Sequence, residues 1–316
     1  PTLVFENYSV FQALYQQNLS TGEYEFVFDA LEDGKIGFVS KTDLGPNKTK
    51  MYFYSAVGDE IDKVKVKQAQ IRGLSQFITV VDADNPSVKM GLVFNTDGTA
   101  TLNTLKGEET TSQTFDYFAT VEGLGFMPAL SFGGKLLGEL FKYDDVKKAF
   151  VSVDNSKVSI VEGMTPPLPL PAYTIGARAY AAYNYLDAYK SSLAFSEFYT
   201  AFAANMKANG LEITSWSLQD LKLPVSYLSI KTKGGNFWFD FTREVKEDGK
   251  VYLTLTGDNN AGEKLTYMQP LIDILFDTNG LYYFASGKLA AYSNKTFSII
   301  SAADPHIKID FYEGGS

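Results

Sequence analysis

The chain has 316 residues, of which 45% are hydrophobic, 21% charged and 15% aromatic, with 24 Phe and 20 Tyr. That much apolar side chain fills one large domain or two packed ones, the charge is too sparse for a disordered chain, and the aromatics favour strands. The formal net charge is −9, with 28 basic residues and no run of Lys or Arg, which excludes the cation cluster a nucleic-acid partner requires and disfavours an anionic membrane surface.

There are no cysteines, so disulfides, thiolate metal sites and a Cys nucleophile are excluded. No apolar run approaches the ~20 residues that span a bilayer as a helix. The chain opens on Pro1-Thr2-Leu3-Val4-Phe5, already strand-like and without a signal peptide, and is read as lacking its natural N-terminus.

In chain order, Tyr24–Val39 predicts a hairpin about Asp33-Gly34, and residues 59–72 predict a helix closed by Gly73. Met90–Leu102 predicts a second hairpin about Asp97-Gly98, and Ala149–Val161 a third about Asp154-Asn155-Ser156. Gly accepts positive φ and Asp or Asn tolerates it, which tight turns require. Thr165-Pro166-Pro167-Leu168-Pro169-Leu170-Pro171 reads as a stiff extended linker. The stretch from Tyr173 to Tyr189 holds five tyrosines and suits either a helix or a strand pair.

Ser192–Asn209 predicts the main helix, with Phe195, Phe198, Tyr199, Phe202 and Met206 on one face and Gly210 as its stop. Phe198, Phe202 and Met206 are expected to be buried. Phe237–Leu255 predicts the last hairpin, about Asp248-Gly249, and Pro270–Phe276 a short helix stopped by Asn279-Gly280.

Residues 24–105 and 237–312 align as copies. Asp33-Gly34-Lys35-Ile36 matches Asp248-Gly249-Lys250-Val251, Lys50-Met51-Tyr52-Phe53 matches Lys264-Leu265-Thr266-Tyr267, and Gly73-Leu74-Ser75-Gln76-Phe77 matches Gly280-Leu281-Tyr282-Tyr283-Phe284. The expected fold is therefore α+β and β-dominated, with antiparallel sheets in two related β-rich units and a few helices. The first unit is placed at 1–107, a middle segment with the proline linker and main helix at 108–236, and the second unit at 237–316.

Chemical motifs are sparse. No GxGxxG, GxxxxGK[ST] or GxSxG is present, and Gly133-Gly134-Lys135 reads as a tight turn. His306, the one histidine, stands at a turn in Asp304-Pro305-His306, a poor start for a triad or a metal centre. The acidic stretches 82–85 and 258–263 do not follow the EF-hand spacing. No catalytic residue, metal ligand or cofactor is assigned.

The most informative feature is a face. In the last hairpin Phe237, Phe239 and Phe241 share one side, continued by Val251, Leu253 and Leu255, while Trp238, Asp240 and Tyr252 share the other. An indole beside a carboxylate suits a sugar ring. The competing expectation is that another element covers this face and Trp238 is core.

The opening residues 1–8, Gly22-Glu23-Tyr24-Glu25-Phe26-Val27, Asp33-Gly34-Lys35-Ile36, Glu122-Gly123-Leu124-Gly125-Phe126 and Phe132-Gly133-Gly134-Lys135 resemble the DUF4302 proteins of Bacteroidetes. That resemblance implies an exported lipoprotein, tethered to the outer membrane through a lipid anchor absent from this chain, and often encoded near nutrient-uptake systems. The family has no assigned activity. The expected function is non-catalytic binding of a glycan or peptide alongside outer-membrane uptake proteins. The alternatives are a hydrolase with an unrecognised carboxylate pair and a structural or adhesive surface protein.

Overall fold

A computed structural model describes residues 2–4, 25–32, 34–41, 50–55, 58–95, 97–171, 182–185, 191–219, 226–259, 261–289 and 294–314. Residues 5–24, Asp33, Asn260 and most of the tyrosine-rich stretch lie outside them. The chain forms two compact units, Pro1–Asp62 and Lys63–Ser316.

The first unit is an antiparallel sheet of β1 (Thr2–Val4), β2 (Glu25–Glu32), β3 (Lys35–Ser40) and β4 (Lys50–Tyr54), in that order. Phe28, Phe38 and Phe53 run across three strands edge to face, with ring centroids 6.2 and 5.7 Å apart.

In the second unit the meander β5 (Ile78–Asp82), β6 (Lys89–Phe94), β7 (Thr99–Lys106), β8 (Glu109–Ala119), β9 (Gly123–Phe132), β10 (Lys135–Asp144), β11 (Ala149–Ser152) and β12 (Val158–Glu162) closes into a barrel. The closing pair is β12 with β5, Val158 opposite Asp82 and Glu162 opposite Ile78. Leu92, Leu102, Phe126, Phe141 and Phe150 fill its interior, as inward residues of an eight-stranded barrel must. The helix α1 (Glu60–Arg72) precedes it and contributes Ile71 to the same core. Gly133 and Gly134 take φ of 57° and 79° in the β9–β10 turn, the geometry a two-residue hairpin loop needs.

A second closed barrel follows, of β13 (Ala182–Tyr185), β14 (Ile213–Gln219), β15 (Ser226–Thr232), β16 (Gly235–Val245), β17 (Val251–Asn259), β18 (Leu281–Leu289), β19 (Asn294–Ser301) and β20 (Lys308–Gly314). Here β13 pairs with β20 to close the ring. Helix α2 (Leu193–Ala208) lies between β13 and β14, and α3 (Leu265–Leu275) between β17 and β18.

The main helix falls where its spacing predicts. Ser192 caps it, its Oγ accepting from Phe195 N–H at 3.3 Å, and Gly210 follows at φ 77°. Phe195, Phe202 and Met206 are buried, whereas Phe198, expected among them, is half-buried and stacked on Phe202 at 5.7 Å. The last helix begins at Leu265 rather than Pro270, which sits inside it on the exposed side. Pro270 removes one backbone donor, while Met268, Leu271, Ile272 and Leu275 anchor the opposite face.

The boundaries drawn from the sequence do not coincide with the barrels. The break at 107 falls in the turn joining β7 to β8, and residues assigned to the middle segment supply β8–β12 of one barrel and β13–β15 of the other. Of the stretches aligned as copies, Gly34 and Gly249 share a φ of 75°, but Gly73 is followed by four residues outside any strand whereas Gly280, at φ 80°, leads directly into β18. Lys50–Phe53 is a strand, however, whereas Lys264–Tyr267 opens a helix. Residues 24–105 also lie across two compact units, whereas 237–312 lie within one barrel.

The proline segment is packed. A Cβ on Gly91 would stand 2.8 Å from Leu168 Cδ1, so the segment lies directly on β6. At its far end Ala285 N–H donates to Pro171 O at 3.1 Å. The two barrels also meet through Phe77 and Tyr282, edge to face at 5.1 Å, and through Gln76 N–H donating to Pro305 O at 2.9 Å.

Candidate functional site

Strand β16 alternates as its sequence predicts. Phe237, Phe239 and Phe241 are buried in the second barrel, while Trp238, 39% exposed, shares the outer face with Asp240 and Thr242. Trp238 stands opposite Ser229 of β15 and Asn259 of β17. Asp240 stands opposite Tyr227 on one side and Gly257 on the other. A Cβ on Gly257 would lie 3.9 Å from Asp240 Oδ2, so the carboxylate reaches across a position with no side chain. Indole, phenol and carboxylate thus share one outward surface, with a glycine leaving room beside the acid.

Tyr252 is not part of that surface. It pairs with Glu244, six residues along β16 from Trp238, which at strand spacing is about 20 Å. Its hydroxyl donates to Asp248 Oδ2 at 2.8 Å, and Lys246 Nζ sits 4.0 Å from its ring centroid. Tyr252 therefore buttresses the hairpin tip, which lines a cleft of about 760 Å³ together with Leu168, Arg243 and Tyr282. Leu255, expected on the apolar side, is 39% exposed next to a register shift between Asp240 and Phe241. Tyr227 lies outside the hairpin whose alternation singles out Trp238 and Asp240, although the sequence carries its signal. Thr232 pairs with Gly235 across a two-residue turn, and counting back from it sets Tyr227 opposite Asp240.

His306 lies between two carboxylates. Its Nδ1 is 2.7 Å from Asp304 Oδ1 and its Nε2 3.2 Å from Glu162 Oε1. The nearby Ser75 hydroxyl bonds instead to the carbonyls of Phe77 and Gly163. No nucleophile–base pair is assembled there.

The acidic stretch 82–85 is neutralised by lysines. Burial by itself pushes the Asp82 carboxyl up, but bonds from Lys135 Nζ (2.7 Å), Asn85 Nδ2 (2.7 Å) and Asp84 N–H (3.1 Å) outweigh it and hold the group below the ordinary carboxylate value. Asp84 is lowered chiefly by the hydrogen bond from Lys157, at 2.7 Å. Asp97, Asp144, Glu212 and Asp248 are lowered too, each chiefly by a hydrogen bond it accepts. A general acid needs the opposite shift.

A folded-state value below the unfolded one adds stability at neutral pH that is lost as pH falls through the folded value. Asp82→Asn is therefore expected to lower the urea midpoint at pH 7, with the gap to the unmodified protein narrowing below about pH 4. A gap that stays constant from pH 7 to pH 3 would contradict this account. Among the described residues no group of three His, Asp or Glu side chains is disposed to hold a metal ion.

Residues 1–144 match the model of a family described as "Domain of unknown function (DUF4302)". No curated protein and no solved structure matches the chain.

Proposed function

We propose, from the match of residues 1–144 to the DUF4302 family model, that the chain is a non-catalytic binding protein of the cell envelope. The ligand class is a glycan, received on the outer face of β15–β17. One observation carries this reading: Trp238 is 39% exposed on the face where Asp240 stands opposite Tyr227. An indole offers a flat apolar area to the apolar face of a sugar ring. A carboxylate beside it accepts charge-assisted hydrogen bonds from the hydroxyl rim. The protein would act beside outer-membrane uptake proteins, exported and held by a lipid anchor. No helix among the described residues is long and apolar enough to cross a membrane.

The test is titration of the folded protein with a panel of soluble plant and host glycans. Trp238→Ala is expected to weaken the best ligand by about 1–3 kcal/mol, the range of an aromatic anchor, with Asp240→Asn weakening it less. Both variants should unfold at nearly the parent's urea concentration, since an outward ring adds little to the core. Unchanged affinity in folded Trp238→Ala would refute the site, and cleavage of the bound glycan would refute the non-catalytic reading.

A further inference from the structure

Two neighbouring clefts open beside the C-terminal end of α1, of about 540 and 430 Å³, and share Ile71, Arg72, Gly98 and Tyr117. The larger runs on towards Ser192 and Lys308 of the second barrel. Among the described residues their charged lining is Arg72 and Lys308 in one and Lys65 and Arg72 in the other, with no Asp or Glu in either. In a chain with 37 acidic residues and a net charge of −9, a lining whose described charged side chains are all cationic stands out, with the Asp97 carboxylate acting on Tyr117 from beside it. Lys308 Nζ is 3.4 Å from Asp310. Arg72 makes no ion pair among the described residues and is exposed.

The rest of the larger cleft divides into a polar rim and an apolar floor. Ile71, Ile78 and Leu92 are buried beneath it, and Phe94 meets the Tyr117 ring at 4.7 Å. Burial pushes the Tyr117 phenol up, and the Asp97 charge adds to this against the pull of Arg72, so the hydroxyl keeps its proton and stands as a donor within reach of the guanidinium's field. The volume is that of a small-molecule site, and the edges of β-barrels are common places for one.

We propose that this cleft binds an organic carboxylate with a compact apolar body, a site separate from the Trp238 face. The Arg72 fork takes both carboxylate oxygens, the Tyr117 hydroxyl adds a donor, and Ile71, Ile78, Leu92 and Phe94 receive the body. A phosphate dianion fits less well, since a single unpaired guanidinium over an apolar floor leaves its third oxygen and second charge without partners.

The experiment is calorimetric titration of the full chain with 4-phenylbutyrate, 4-phenyl-1-butanol and glucuronate. The acid is expected to bind at one site, and the alcohol and the sugar acid at least about tenfold more weakly, because each lacks one of the two recognised parts. Arg72→Gln should weaken 4-phenylbutyrate by about tenfold or more, the scale of one lost charge-assisted fork. Arg72→Lys should recover part of the loss, and Trp238→Ala should change nothing. Arg72 is exposed at a helix end, so circular dichroism should find both variants folded. No binding of 4-phenylbutyrate, equal binding of the alcohol, equal binding of glucuronate, or an unchanged Arg72→Gln protein would each overturn the proposal. A failure on the Trp238 face with this result intact separates the two sites.

Discussion

Gly123→Ala is expected to destabilise the protein by about 3 kcal/mol or more, the upper end of what one added methyl costs where nothing can yield. Gly123 pairs with Lys142 across β9 and β10. A Cβ there would lie 2.0 Å from the Phe141 carbonyl oxygen and 3.2 Å from Lys142 Cα. Both are backbone atoms of the facing strand, so no rotamer change relieves the overlap and the ladder itself must part. At Gly133 the same substitution meets no atom within 4 Å, and its cost is confined to the positive φ. Urea unfolding of the two variants measures the contrast. A loss below about 1 kcal/mol at Gly123 would mean that β9 and β10 are not paired in this register.

Phe202→Ala is expected to cost about 3–5 kcal/mol, the range for emptying a buried phenylalanine site. The ring is 4% exposed on the inner face of α2, stacked on Phe198 and next to Tyr199. Phe198→Ala removes a half-buried ring and should cost clearly less. Equal losses would place the helix rotated from the position described. A loss below about 1 kcal/mol at Phe202 would mean that its ring faces water.

Local features were legible in the sequence and distant ones were not. The stop at Gly210 and the turns at Gly34, Gly98 and Gly249 rest on chemistry within a few residues, and each lies where its sequence puts it. The outward side of Trp238 followed from the two-residue period of a strand. Pro270 misled because proline usually opens a helix, and only the burial of Met268 and Leu271 shows that this one continues through it. Tyr252 misled in another way: sharing a face says nothing of distance along it. Barrel closure left no local mark. Ile78–Asp82 reads as a strand, but nothing near it names Val158–Glu162 as its partner, and the units drawn from turn spacing accordingly cut both barrels.

Closure has a consequence for how the chain is made. The pairing of β12 with β5 joins residues about 80 apart in sequence, and that of β13 with β20 joins residues about 130 apart, so each ring is complete only when its last strand has left the ribosome. The first ring can shut while the second is still being synthesised. Until then β5 waits with an unpaired edge of the kind that recruits other chains. A truncation between β10 and β11 would make that waiting permanent, and such a fragment should aggregate, whereas one ending beyond Glu162 should remain soluble. The proline segment comes next in the order of synthesis, and it settles on β6 over Gly91. It thereby gives the second barrel a fixed starting point on a finished neighbour.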